Sequence, residues 1–156
     1  MRRLMLGCCA VALVGCSKPK EEPPMESTAA APEAPAAPAP IALADIAGKW
    51  SVRTMAETGD SVLVSYELVA SSDTSGWSLN FPKRKPIPMR VVAVAGDSIV
   101  TEAGPFESAL RKGIKVSVQS VTRLQDGKMV GTTVAHYATT GADSVRNLRF
   151  EGTRAP

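Results

Sequence analysis

From Ile41 to the end of the chain, apolar and polar residues alternate with a period of two, and this pattern constrains the fold more than any other feature. Successive side chains of a β-strand point to opposite faces, so a strand with one buried face shows this alternation. In the first two such segments one face carries Trp50, Val52 and Thr54, and then Val62, Val64, Tyr66 and Leu68. The pattern predicts half-buried strands and no long amphipathic helix.

Eight segments read as strands, at 50–54, 62–68, 76–81, 89–95, 98–103, 115–124, 129–137 and 144–151. Short links rich in Gly and Asp separate most of them, and these residues accept the positive φ that tight hairpins need. Short links join antiparallel neighbours, so the segments predict an all-β antiparallel meander. The one long link, 104–113, is expected to carry a turn of helix at 108–111.

An eight-stranded meander leaves two exposed edges unless its first and last strands pair. Closure removes both edges, and a barrel of eight strands is just wide enough to be filled by side chains or to hold one small ligand. We therefore expect a closed barrel. A two-layer meander sandwich is the rival architecture.

Gly48-Lys49-Trp50, at the start of the first strand, resembles the Gly-x-Trp motif of the lipocalins and the wider calycin group. In that pattern the Trp closes one end of the barrel and an Arg from a late strand packs over it. The resemblance implies that Arg146, Arg149 or Arg154 supplies this Arg, and it makes Trp50 and Arg146 candidate ligand-site residues at the barrel ends. The second lipocalin motif, a Thr-Asp-Tyr turn, is absent.

The first 40 residues differ sharply from the rest. Arg2 and Arg3 precede an apolar run at 4–14, which is the layout of a secretory signal peptide. The run Leu13-Val14-Gly15-Cys16 resembles the bacterial lipobox, which implies cleavage before Cys16 and lipidation of that residue. Ser17 after the cysteine implies, by the same resemblance, sorting to the outer membrane, facing the periplasm.

Three regions follow: a signal peptide at 1–15, a lipidated Cys16 with a Pro/Ala-rich tether to residue 40, and a β-barrel domain at 41–156. The tether has no aromatic residue and is rich in proline, so it is expected to stay extended and unfolded. All three cysteines, Cys8, Cys9 and Cys16, precede the domain, which excludes a disulfide framework there.

The residue types needed for a reactive site are scarce. His136 is the only histidine, and the domain has no cysteine. Glu102 and Glu107 flank the long link, but their spacing alone does not place the two carboxylates together as an acid and a base would need. These residues predict no metal, no cofactor and no catalytic centre, so we expect a protein that is not an enzyme. A net charge of +3 and export from the cytoplasm argue against nucleic acid as a partner.

The densest charge in the domain is Lys83-Arg84-Lys85, which lies between Pro82 and Pro86. The two prolines are expected to hold this loop out as a rigid tip. It is a candidate contact for an acidic partner, such as lipid headgroups or an envelope component, with a soluble loop that blunts a sheet edge as the alternative.

Two functions remain open. The first is a membrane-anchored barrel that carries a small hydrophobic ligand or lipid, which predicts a continuous internal cavity of several hundred Å³, open at one end. The alternative is a structural or interaction lipoprotein that meets an envelope protein or glycan through its surface loops.

Lipidation of Cys16 can be tested by fractionation. Replacing Cys16 with Ala removes the atom that would carry the lipid, so the Cys16→Ala protein should leave the membrane fraction while its domain stays folded. Immunoblots of membrane and soluble fractions measure this. A variant that remains with the membrane would contradict the prediction.

Overall fold

The computed structural model describes residues 39–156. The predictions at Cys16, for the signal peptide and for the tether up to residue 38 lie outside the described residues.

Residues 39–156 form a closed antiparallel barrel whose strands follow one another in chain order. This confirms the all-β meander and excludes the sandwich. The strands are β1 (Gly48–Ala56), β2 (Val62–Ala70), β3 (Ser78–Asn80), β4 (Ile87–Ala95), β5 (Ser98–Glu107), β6 (Lys115–Gln125), β7 (Lys128–Tyr137) and β8 (Val145–Arg154). A short helix, α1 (Leu43–Ile46), precedes them, and a 3₁₀ turn at Ala142–Ser144 precedes β8. Within this part of the chain, no helix is long and apolar enough to cross a membrane.

The alternation of side chains explains why the strands form. In β7, Thr133, Ala135 and Tyr137 are buried while Thr132 and His136 are exposed. The hairpin between β6 and β7 turns at Asp126 and Gly127, which both have positive φ, at 51° and 73°. That pair of dihedral angles is the one a two-residue hairpin favours.

Trp50 closes one end of the barrel. Its side chain is 1% exposed, and its indole Nε1 donates a hydrogen bond of 2.7 Å to the carbonyl oxygen of Ile46 in α1. The guanidinium of Arg154 lies 4.5 Å from the centre of the Trp50 ring. Arg154 also donates to the carbonyl oxygens of Asp45 and Ala47, at 2.8 and 2.7 Å, and so holds α1 against this closed end.

Arg154 is therefore the arginine over Trp50, and the other two candidates lie elsewhere. Arg146 is opposite Ala135 near the start of β8. Arg154 lies eight positions further along the strand, which is about 26 Å away. Arg149 donates to the carbonyl oxygen of Gly59 at 2.6 Å and pairs with Asp60 in the β1–β2 turn. The closing register, in which Trp50 is opposite Arg154, decides among the three.

The predicted turn of helix at 108–111 is wrong. β5 continues to Glu107 after a break in its pairing with β6 between Ala103 and Phe106, which leaves only a short link before Lys115. In that link the Ser108 hydroxyl accepts the N–H groups of Leu110 and Arg111, both at 3.0 Å. These bonds satisfy the backbone donors without a helix, because the side chain of Ser108 takes the place of backbone carbonyls.

Gly131 makes room for a core side chain, and replacing it should destabilise the barrel. A Cβ at this position would overlap the Val121 carbonyl oxygen and lie 2.5 Å from Cζ of Phe150. Gly131→Ala should therefore lower the free energy of unfolding by about 2–3 kcal/mol. Gly152→Ala is the matched control, since its Cβ would meet nothing closer than 3.2 Å. Urea denaturation of both variants measures the difference, and equal losses would contradict this account.

Candidate ligand site at the open end of the barrel

The end of the barrel opposite Trp50 contains a cavity of about 60 Å³. The loops after β1, β3, β5 and β7 surround this open end. The apolar lining includes Tyr66, Phe81, Phe106, Leu110, Val116, Ala135, Tyr137 and Leu148. Ala109, which also lines the cavity, is exposed to solvent, so the cavity reaches the surface beside the β5–β6 link.

Three aromatic rings lie in series at this cavity. The ring centroids of Tyr66 and Phe81 are 5.1 Å apart, and those of Phe81 and Phe106 are 6.1 Å apart. Both pairs are tilted, which is a favourable arrangement for aromatic rings. The rings come from β2, the segment after β3, and β5, so the closure of the sheet is what brings them together.

Hydroxyl groups are the only polar side-chain groups in the lining. Thr54, Tyr66, Ser108, Ser120, Thr133 and Tyr137 supply them, and no Lys, Arg, His, Asp or Glu lines the cavity. Burial raises the pKa of the Tyr66 hydroxyl to about 12, against a smaller lowering by its hydrogen bond with Thr54. The site is therefore uncharged at neutral pH and suits an uncharged, mostly apolar molecule.

Below this cavity the barrel is filled. Trp77, Met129 and Phe150 pack in the closed half around a void of only about 10 Å³. The expectation of a continuous cavity of several hundred Å³ is therefore wrong. Large side chains facing one another across a narrow barrel leave little space, and the cavity that remains has the small residues Ala135, Ser120 and Thr133 in its lining.

Two arginines hold the rim of the open end. Arg84 donates to the carbonyl oxygens of Glu107 and Ser108, at 2.6 and 3.4 Å. Arg111 donates to the carbonyl oxygen of Asp143 at 2.7 Å, and its guanidinium lies 4.1 Å from the centre of the Tyr137 ring. The β5–β6 link, which borders the cavity, is thus tied to the loops on both sides of it.

Arg84 also corrects the expectation for the basic loop. Because its guanidinium bonds to the end of β5 and lies 5.9 Å from the centre of the Phe81 ring, the loop rests against the rim and is not held out as a tip. Lys83, Arg84 and Lys85 are all exposed. As a contact for an acidic partner, Lys83, Arg84 and Lys85 remain a prediction.

Trp50 and Arg146 lie at opposite ends of the barrel. Trp50 belongs to the packed closed end and does not line the cavity. Arg146 is half-buried near the open rim, opposite Ala135, and does not line the cavity either. The rings of Phe81 and Phe106 were missed as site residues because nothing local in the sequence distinguishes a ring at a cavity from a ring in a core.

The remaining titratable candidates lie outside this cavity. His136 is exposed on β7. Glu102 accepts hydrogen bonds from Arg90 and Gln119, at 2.6 and 3.0 Å. Both bonds lower the pKa of its carboxyl group, and the bond from Arg90 has the larger effect. Among residues 39–156, no three His, Cys, Asp or Glu side chains come close enough to hold a metal ion.

The buried hydroxyl of Tyr66 should make stability depend on alkaline pH. The unfolded chain loses the tyrosine proton near pH 10, while the folded chain keeps it to about pH 12. The contribution of Tyr66 to the free energy of unfolding should be complete below pH 10 and fall as the pH rises from about 10 to about 12. Urea denaturation at pH 9 and pH 11 should show a smaller fall for Tyr66→Phe than for the unaltered protein. Equal falls would contradict burial of this hydroxyl.

Compared with known proteins, the chain matches no family model, no curated protein and no solved structure. Its closed meander of eight antiparallel strands is consistent with a calycin-like fold.

Proposed function

We propose that this protein is a lipid-anchored lipoprotein of the bacterial cell envelope whose barrel binds a small, mostly apolar ligand at its open end. The observation that carries the proposal is the uncharged cavity beside the rings of Tyr66, Phe81 and Phe106. Its role is binding, with no catalytic step.

The packing of the barrel supports one route of entry. Trp50, α1 and Arg154 fill the closed end, so a ligand reaches the interior only from the open end. The exposed position of Ala109 beside the cavity provides the opening. A ligand larger than the cavity leaves its remainder at the rim, next to Leu110 and Arg146.

The cavity volume limits the affinity. A space of about 60 Å³ takes only a few non-hydrogen atoms, since an engineered cavity of about 150 Å³ is what holds benzene. The binding free energy of the best small ligands is about 1.5 kcal/mol per non-hydrogen atom. Four inserted atoms therefore gain at most about 6 kcal/mol, which corresponds to a Kd of about 40 µM. Tighter binding needs contacts at the rim.

The anchor at Cys16 supports the envelope location in this proposal. An acylated cysteine followed by an extended tether would keep the barrel within roughly 70 Å of a membrane, most simply the outer membrane on its periplasmic side. Ligands that partition into membranes would then be concentrated near the open end.

A structural or interaction role is the second candidate, and the basic loop is the observation that favours it. Lys83 and Lys85 are exposed and, within residues 39–156, form no ion pair. Because Arg84 fixes the loop to the β5–β6 link, an acidic envelope component bound by these lysines would lie beside the entrance to the cavity.

Xenon, a small apolar probe, tests the proposed site. In the Cys16→Ala protein under xenon pressure, the methyl NMR signals of Val116, Ala135 and Leu148 should shift, because these side chains line the cavity. Ala135→Leu fills the cavity and should abolish the shifts. Ala93→Leu adds the same atoms at an exposed position and should leave them unchanged. No shift in the unaltered barrel would refute a ligand cavity.

A further inference from the structure

A row of three hydroxyl groups crosses the interior of the barrel. Thr101 of β5 is opposite Ser120 of β6, and Ser120 is opposite Thr133 of β7. All three residues are buried, with 1%, 8% and 8% exposure. Residues directly opposite one another on antiparallel strands point to the same face, so the three side chains share one level of the interior.

The hydrogen bonds of this hydroxyl row are incomplete. Ser120 and Thr133 share one bond of 2.8 Å between their hydroxyl oxygens. The hydroxyl of Thr101 is the one buried side-chain group of the described residues that has no hydrogen-bond partner. Three hydroxyls bring three donor hydrogens, and the Ser120–Thr133 bond uses one of them. Buried polar groups rarely stay unpaired, because each has lost its bonds to water.

The row extends from the inner end of the candidate ligand site, where Ser120 and Thr133 lie, to the small void beneath it, where Thr101 lies. Ser120 and Thr133 line the cavity at the open end, while Thr101 and Ser120 line the small void beneath it. The rings of Phe81 and Phe106 line the same cavity nearer the rim. A molecule that enters from the open end passes the apolar rings and the hydroxyls of Ser108 and Tyr137 before it meets those of Ser120 and Thr133.

We propose that the hydroxyl row of Thr101, Ser120 and Thr133 binds an uncharged oxygen acceptor of the ligand, which enters the barrel polar end first. The ligand class is a small neutral amphiphile, such as an alcohol or a primary amide, whose apolar part lies against Phe81 and Phe106. This inference rests on the proposed function, since it names the chemistry of the ligand at the same site.

The absence of charge in the lining restricts the polar end to a neutral group. No side chain around the cavity can neutralise a carboxylate or a phosphate. An ionised group buried there would lose its hydration without gaining a partner of opposite charge. On the face of β8 that carries Leu148, the residue opposite Thr133, the nearest cation is Arg146, two residues away in the direction of the rim.

Propionamide and propionate test this inference, because they have nearly the same shape and differ in charge. Binding is followed by NMR titration of the Cys16→Ala protein, with xenon as the apolar probe of the same cavity. Propionamide should bind and shift the signals of Thr101 and Ser120, and propionate should not. Thr101→Val removes one hydroxyl at nearly constant volume and should weaken propionamide binding roughly threefold to tenfold. It should leave xenon binding unchanged.

Thr132→Val is the matched control, since Thr132 is exposed on β7. This variant should bind propionamide as the unaltered barrel does. Equal affinity of the Thr101→Val and Thr132→Val variants would overturn the role of the hydroxyl row.

The other outcomes separate this inference from the proposed function. If xenon binds and propionamide does not, the hydroxyl row holds only a resident water and the inference is wrong, while the ligand cavity stands. If propionate binds better than propionamide and Arg146→Gln abolishes this preference, the polar end lies at the rim and the inference is also wrong. If neither xenon nor propionamide binds, the proposed function fails.

Discussion

The pairing of β1 with β8 is the contact on which the rest of the structure depends. Seven residue pairs join the two strands, from Trp50 opposite Arg154 to Ala56 opposite Leu148. Without them, β1 and β8 would both be open edges of a sheet. The same register brings the Arg154 guanidinium over the Trp50 ring and within reach of the carbonyl oxygens around α1. The same strand pairing thus closes the sheet and seals one end, which leaves the barrel with one opening.

The position of the cavity follows from the sizes of the side chains that face one another. In the closed half, the ring of Phe150 occupies the space beside Gly131, so even a glycine leaves no void there. Nearer the open end, Ala135 and Thr133 of β7 and Ser120 of β6 are all small, and the rings of Tyr66, Phe81 and Phe106 that line the same cavity do not fill it. The interior is therefore packed below this level and open above it.

Local features of the sequence predicted the strands well, because alternation is a property of each segment alone. The eight strands and the meander follow from such patterns, whereas the closing role of Trp50 was implied by the resemblance of Gly48-Lys49-Trp50 to the lipocalin motif. The choice of Arg154 over Arg146 does not, since it depends on the register of strands about 100 residues apart in sequence. The predicted size of the cavity was wrong because it depends on contacts across the barrel that no segment encodes by itself. The predicted turn at 108–111 was wrong because β5 continues to Glu107 and the Ser108 hydroxyl accepts the N–H groups of Leu110 and Arg111.

Thr101 is a residue whose role no sequence pattern indicates. Valine and threonine have nearly the same shape and both favour strands, so packing and strand propensity do not require a hydroxyl at this position. An unpaired buried hydroxyl costs about 1–3 kcal/mol, which valine would avoid. Ser120 and Thr133 satisfy each other, whereas Thr101 beside them has no such partner among the described residues. The Thr101 hydroxyl lowers the stability of the barrel without ligand, and a contact with the bound ligand would explain its presence. The hydroxyl row, more than the rings at the rim, therefore distinguishes the site from an imperfectly packed core.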